Sequence, residues 1–220
     1  MNENILMLGA SGLIGQLAVP LLRSYSVYAP ARRELSGAHY LKPLPLAYDE
    51  AAARAQLQAA RIRVLDCFVC TLGTTLKDAG SQAAFAAIDR DLVLMYAKLA
   101  REFGARQAVL VSSVGADAKV TNFYLRTKGQ TEQGLKELGY TRVDLLRPSL
   151  LLGKRKQNRP VEAFAMRIAT LLGPLMIGQA SEYRPVAASS VARALVAVLS
   201  QHAPGTFVHK YRDFGKLAER

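Results

Sequence analysis

Tyr124 and Lys128 stand four apart in "FYLRTKGQ", and of the chain's nine tyrosines this alone has a lysine at that distance. On a helix such a pair shares one face. A lysine ammonium beside a phenol favours the phenolate and draws its pKa down from the ordinary tyrosine range. A phenol tuned in this way can exchange a proton with a carbonyl oxygen while a hydride moves between that carbon and a nicotinamide. Ser112 and Ser113 close an apolar run, the second of them eleven residues before Tyr124. A hydroxyl from either could assist at the same oxygen. A lone tyrosine–lysine pair carries little information, because chance supplies such pairs often. Its companions give it weight.

"GASGLIG" sets Gly9, Gly12 and Gly15 between the first apolar run and the first helical pattern. Glycine is costly inside regular structure, so three at one junction mark a backbone with a task. In a doubly wound sheet the first strand-to-helix turn receives a pyrophosphate. There Gly9 permits the tight turn, Gly12 lets phosphates approach the backbone, and Gly15 lets helix and strand pack closely. Ser11 and the amides of Leu13 and Ile14 would face the ligand. Sites that prefer NAD place an acidic residue about twenty residues further on, at the end of the second strand. Here "YAPARREL" offers Arg32 and Arg33 instead. A carboxylate repels a 2′-phosphate whereas guanidinium groups grip it, so the expected cofactor is NADP(H).

The elements that must position these residues are legible as an alternation. Residues 4–8, 26–32, 63–73, 107–113 and 141–148 read as strands, apolar throughout in most cases. Residues 13–23, 48–61, 81–104 and 122–138 read as helices, with Ser81 as an N-cap and Gly104 and Gly139 as stops. Strand, helix, strand in this rhythm implies parallel pairing with right-handed crossovers. The expected fold is α/β, a Rossmann-type doubly wound parallel sheet. After Pro148 the rhythm changes, with helical patterns at 160–172 and 188–201 around a glycine- and proline-bearing link. The expected organisation is one NAD(P)-binding domain over 1–220, with a core at 1–149 and a small cap and C-terminal elements at 150–220.

Taken in order, "GASGLIG", the arginines closing the second strand, "TLGTT", "VSSVGAD", "YLRTK" and "LRPSLLLGKRKQNRP" resemble the Tat-interactive oxidoreductase-like branch of the atypical short-chain dehydrogenase/reductase superfamily. The resemblance spans roughly residues 4 to 200. It implies a Rossmann core, NADP binding and Tyr124 as proton donor or acceptor. It also implies Lys128 on the nicotinamide ribose, Leu72 and Gly73 near the cofactor, and Leu151 and Arg159 along its outer wall. One departure stands out: where many reductases of the superfamily carry a third Ser or Thr after the serine pair, this chain has Val114.

Composition bounds the remaining classes. The chain of 220 residues is 50% hydrophobic, enough for one full domain, yet its apolar runs are all too short to cross a membrane. The start, "MNENILMLG", enters the first strand at once and leaves no room for a secretory signal, so the expected location is the cytoplasm. Net charge is +12, which favours anionic partners. The basic residues are nevertheless dispersed, apart from "KRKQNR" at 154–159, and nucleic acid is not an expected partner. Cys67 and Cys70 form a CxxC on an apolar strand, where residues three apart point to opposite faces. They read as buried structural thiols, and no metal-binding set is expected. Two functions stay open: turnover of a small carbonyl or alcohol, and NADPH sensing by a module that binds a protein partner. Tyr124 and Lys128 favour the first, Val114 and the short cap the second.

Overall fold

The computed structural model describes residues 3–35, 38–153 and 178–219. The basic run at 154–159, including Arg159, and the helix expected at 160–172 lie outside the described residues. Seven parallel strands form the central sheet, in the order β3-β2-β1-β4-β5-β6-β9. These are β1 (Asn4–Leu8), β2 (Ser26–Ala31), β3 (Leu41–Pro45), β4 (Cys67–Cys70), β5 (Gln107–Val111), β6 (Arg142–Leu146) and β9 (Gly205–His209). A separate pair, β7 (Leu151–Leu152) and β8 (Val186–Ala187), is also parallel. β1 pairs with β2 on one side and β4 on the other. The chain therefore reverses its direction of travel across the sheet at β1, and that reversal opens a crevice at the strands' carboxyl ends.

Two apolar layers sandwich the sheet. Ile5, Met7, Val27, Cys67, Val109 and Val191 belong to one cluster, and Leu6, Leu8, Phe68, Cys70, Tyr96 and Leu110 to the other. Successive residues of β1 alternate between the two, as a strand covered on both faces requires. Cys67 and Cys70 fall into opposite clusters and are both free and buried. Burial pushes the Cys70 thiol up to about 12, which disfavours the thiolate that redox or metal chemistry uses.

The first layer is covered by α1 (Leu13–Ala18) and α7 (Ala188–Leu199), which pack on each other. The second is covered by α2 (Glu50–Ala59), α5 (Val93–Glu102) and α6 (Phe123–Glu137). Two expectations change here. The helix read as one piece over 81–104 is composite: α3 (Leu76–Ala79) precedes it, then come α4 (Gln82–Ala86), a π-helical turn at Ala87–Leu92, and α5. Ser81 does cap α4, accepting a hydrogen bond from the Ala84 amide at 3.1 Å. The second change concerns 150–220. α7, β9 and α8 (Tyr211–Ala218) are built into the main structure, β9 as the seventh strand beside β6 and α8 through buried Phe214 and Leu217. They are core elements and not part of a cap.

β3 was not foreseen, because Pro43 and Pro45 break any strand-like pattern. Proline is tolerated in a sheet at its border, and β3 is the border strand. At β6 a charged knot ties the opposite side together. Asp144 is fully buried and accepts from Arg142 Nε and Nη2 at 2.7 and 2.8 Å and from Gln107 Nε2 at 2.9 Å. Its Oδ1 also lies 2.8 Å from His209 Nε2, at the end of β9.

Candidate functional site

The glycine loop sits at the crevice, and each glycine answers a different neighbour. Gly9 has φ +83, and a Cβ there would come within 2.4 Å of the Leu72 nitrogen. It thus meets the left-handed turn and the close pass of the β4 loop together. A Cβ at Gly15 would stand 2.2 Å from the Gly9 carbonyl oxygen, so helix and loop can touch only if it is absent. At Gly12 the nearest atom to a Cβ would be 3.2 Å away. That contact is tight but not forbidding, so the fold demands this glycine less than the other two. Gly12 is the N-cap of α1 and supplies no side-chain cap, so the helix presents bare amides to the crevice. Ser11 is exposed beside them, Leu13 is half-buried and Ile14 is buried. These features form a cradle that fits a dinucleotide pyrophosphate.

Arg32 and Arg33 follow β2 directly, both exposed and without an ion pair or hydrogen bond among the described residues. Leu72 and Gly73 follow β4, with Thr71 Oγ1 donating to the Gly9 carbonyl at 2.9 Å. Leu151 lies half-buried in β7, and the adjacent Gly153 approaches Leu13 of the glycine loop so closely that a Cβ would be 3.0 Å from Leu13 Cδ1.

Ser112 and Ser113 leave β5 on the same edge. Ser112 is 7% exposed, and its Oγ has no hydrogen-bond partner among the described residues. Such an orphan is costly to bury unless a ligand satisfies it. Ser113 Oγ donates to the Val114 carbonyl at 3.3 Å, a long and weak bond that a better acceptor could replace.

Tyr124 and Lys128 share one face of α6, and that face lies against the composite helix. Phe85 meets Tyr124 with ring centroids 5.6 Å apart. Four residues on in each helix, Asp89 Oδ1 lies 2.6 Å from Lys128 Nζ, with side-chain exposures of 0% and 6%. Thr131 Oγ1 donates to the Asp89 carbonyl at 2.9 Å, and Gly134 packs on Leu94. Burial pulls the Lys128 ammonium down, yet Asp89 first and Tyr124 second outweigh it, so Lys128 holds its proton above the ordinary lysine range. Sequence reasoning missed Asp89, whose only signal is its place in a helix expected to pack on α6. It also missed Gly129. A Cβ there would overlap Asp117 and Ala118 at 2.2 Å, so glycine after Lys128 lets the loop that follows the serines cross α6 in contact.

Gly9 thus meets Leu72, Gly73 passes close to Lys128, and Ser112 leaves the next strand at the same end of the sheet of a Rossmann-type fold, the arrangement of short-chain dehydrogenases and their relatives. No protein-family model matches the chain. Among curated proteins it is 34% identical over 177 residues to mitochondrial fmp52 of Emericella nidulans, covering 77% of this chain and 76% of that one. It is 31% identical over 201 residues to HTATIP2 of Rattus norvegicus, covering 89% and 80%. Among solved structures, the Bordetella bronchiseptica enzyme WbmH in complex with NAD+ superposes with TM-score 0.70 at 17% identity, covering 96% of this chain and 75% of that one. UDP-glucose 4-epimerase of Thermotoga maritima gives 0.69 at 19%, covering 98% and 82%. The chain belongs to the family of HTATIP2 and fmp52, the Tat-interactive oxidoreductase-like branch of the atypical short-chain dehydrogenase/reductase superfamily. The expected cytoplasmic location is overturned by these relatives, since the fmp52 proteins of Emericella nidulans, Aspergillus niger and Candida albicans are all named mitochondrial. Among the described residues no helix is long and apolar enough to cross a membrane.

Proposed function

We propose that the protein is an NADP-dependent oxidoreductase acting on a small carbonyl or alcohol. The observation that carries this reading is the link from the bare-amide glycine loop through Leu72 and Gly73 to Lys128, which shares a helix face with Tyr124. NADP(H), when bound, supplies or accepts the hydride. The glycine loop then holds the pyrophosphate, and Arg32 and Arg33 grip the 2′-phosphate. Lys128 hydrogen-bonds the nicotinamide ribose, with Leu72, Gly73 and Leu151 along the cofactor's walls. Tyr124 Oη gives a proton to the substrate oxygen in reduction and takes it in oxidation. Ser112 or Ser113 donates to that same oxygen and holds it in line.

A second reading, an NADPH-sensing module that binds a protein partner without turnover, draws support from one observation. Val114 brings no hydroxyl where the superfamily often has one, and its amide is engaged with the Pro148 carbonyl at 2.9 Å. Calorimetry tests the part common to both readings. NADPH should bind about tenfold to a hundredfold more tightly than NADH, from two charge-assisted contacts partly offset by solvent. The double variant Arg32→Ala/Arg33→Ala should erase the difference. Equal affinities in the wild type would refute NADP selection. Given a substrate, Tyr124→Phe separates the two readings, because it should abolish turnover and leave NADPH affinity nearly unchanged.

A further inference from the structure

α7 packs on both α1 and α8, and residues from all three sides line a groove of about 590 Å³. That volume falls within the range of small-molecule sites. Ser24 and Tyr25 line it and lead into β2, so it lies toward the amino ends of the strands. The glycine loop and the serines follow the carboxyl ends, so the groove is separate from the crevice. On α7 the lining positions are 193, 196, 197 and 200. They share one helix face, turned away from the buried face of Val191, Leu195 and Val198.

Apolar and polar groups meet in this groove. Leu21, in the turn that follows α1, is 45% exposed, and with Val196 and Leu217 it offers a contiguous apolar wall. Arg193 is the one charged residue among the described residues that line it, and it is exposed. Its guanidinium has no ion pair or hydrogen bond among the described residues, and neither do the Ser24 and Tyr25 hydroxyls. Burial first, then the nearby Glu3 and Cys67, push the Tyr25 phenol above its ordinary value, so it stays a donor at neutral pH. Three unengaged donors thus stand beside an apolar wall, and no carboxylate lines the groove to answer them.

We propose that this groove binds a fatty carboxylate, with its head on Arg193 and its tail along Leu21, Val196 and Leu217. The head is assigned from charge. One guanidinium balances one negative charge and meets a carboxylate bidentately, whereas a phosphate monoester would leave part of its charge unanswered. The tail is assigned from the wall, since a small anion alone would leave that apolar surface in water. Ser24 and Tyr25 supply the further donors that a carboxylate's remaining lone pairs accept. The site stands apart from the cofactor reading and does not rest on it.

The test titrates the full chain with carboxyl-¹³C dodecanoate, followed by NMR below the micelle concentration. The wild type should bind a single equivalent saturably. Arg193→Ala should weaken binding at least about tenfold, the loss of a charge-assisted contact. Leu21→Glu, which sets a like charge on the apolar wall, should abolish it. Both side chains are exposed, so both variants should keep the wild-type circular dichroism melt. Arg106→Ala removes an exposed arginine outside the groove and should leave the affinity unchanged. Acetate and dodecanol, the head and the tail alone, should each bind far more weakly. The proposal is overturned if dodecanoate fails to bind, or if Arg193→Ala binds it as the wild type does. Equal losses in Arg106→Ala and Arg193→Ala would mean diffuse attraction to a chain of net charge +12 and would also overturn it. So would equal binding of dodecyltrimethylammonium, tighter binding of dodecyl phosphate, or displacement of dodecanoate by NADPH.

Discussion

At the scale of single residues, the three glycines of the first turn separate stability from binding. A Cβ at Gly15 would have to displace the Gly9 carbonyl, whereas one at Gly12 would need only a few tenths of an ångström from its neighbour. Gly15→Ala should therefore lower unfolding free energy by about 2–3 kcal/mol, the usual cost of overpacking a tight site. Gly12→Ala should cost well under about 1 kcal/mol yet weaken NADPH binding at least about tenfold, since its methyl would point at the phosphates. Urea melts and cofactor titrations on the two variants check both halves. Equal loss of stability would show that Gly12 serves the fold after all. The roles of Gly9 and Gly15 were readable from type and spacing alone, because a turn and a close contact leave glycine no substitute. Asp89 was not readable: one aspartate in a helix looks solvated until the helix beside it is known.

At the scale of elements, the well-bounded helices were read best. α6 carries an Asn122 cap that accepts from the Leu125 amide at 3.0 Å and a Gly139 stop at φ +72, both local signals that need no tertiary partner. The π turn has no such signal, since one inserted residue leaves the apolar spacing of 81–104 almost unchanged. β3 was hidden by its prolines, and β9 by the expectation that everything after Pro148 belonged to a cap. Beside the ladder that pairs it with β6, β9 is fastened at His209 by the knot around Asp144. Burial raises that carboxyl, but bonds from His209, Arg142 and Gln107 outweigh it, and its pKa lies below the ordinary aspartate value. A depressed folded pKa gives stability that is fully present above the unfolded value, about 4, and is lost as pH falls through the folded one. Asp144→Asn should thus cost about 3–5 kcal/mol at pH 7, the cost of leaving Arg142 buried and unpaired. That deficit should shrink in urea melts run below pH 4. A pH-independent deficit would mean the charge contributes nothing.

At the scale of the whole molecule, the chain closes its own sheet late. Its seventh strand and last helix come from residues 205–218, and they bring His209, Phe214 and Leu217 into contact with elements formed from the first 150 residues. Removing 205–220 should therefore abolish the cooperative melt followed by circular dichroism, where loss of a mere appendage would leave it intact. The opposite border of the sheet has another consequence. In β3 the Leu46 amide just beyond the strand donates inward to Ala31 at 3.2 Å, and backbone direction alternates along a strand, so positions 43 and 45 turn their nitrogens outward. Both are proline. That rim therefore shows acceptors with almost no donors, and a second polypeptide laid along it would find no complete ladder to join. A chain that is half hydrophobic is in this way guarded against growing sideways into fibres from its β3 side.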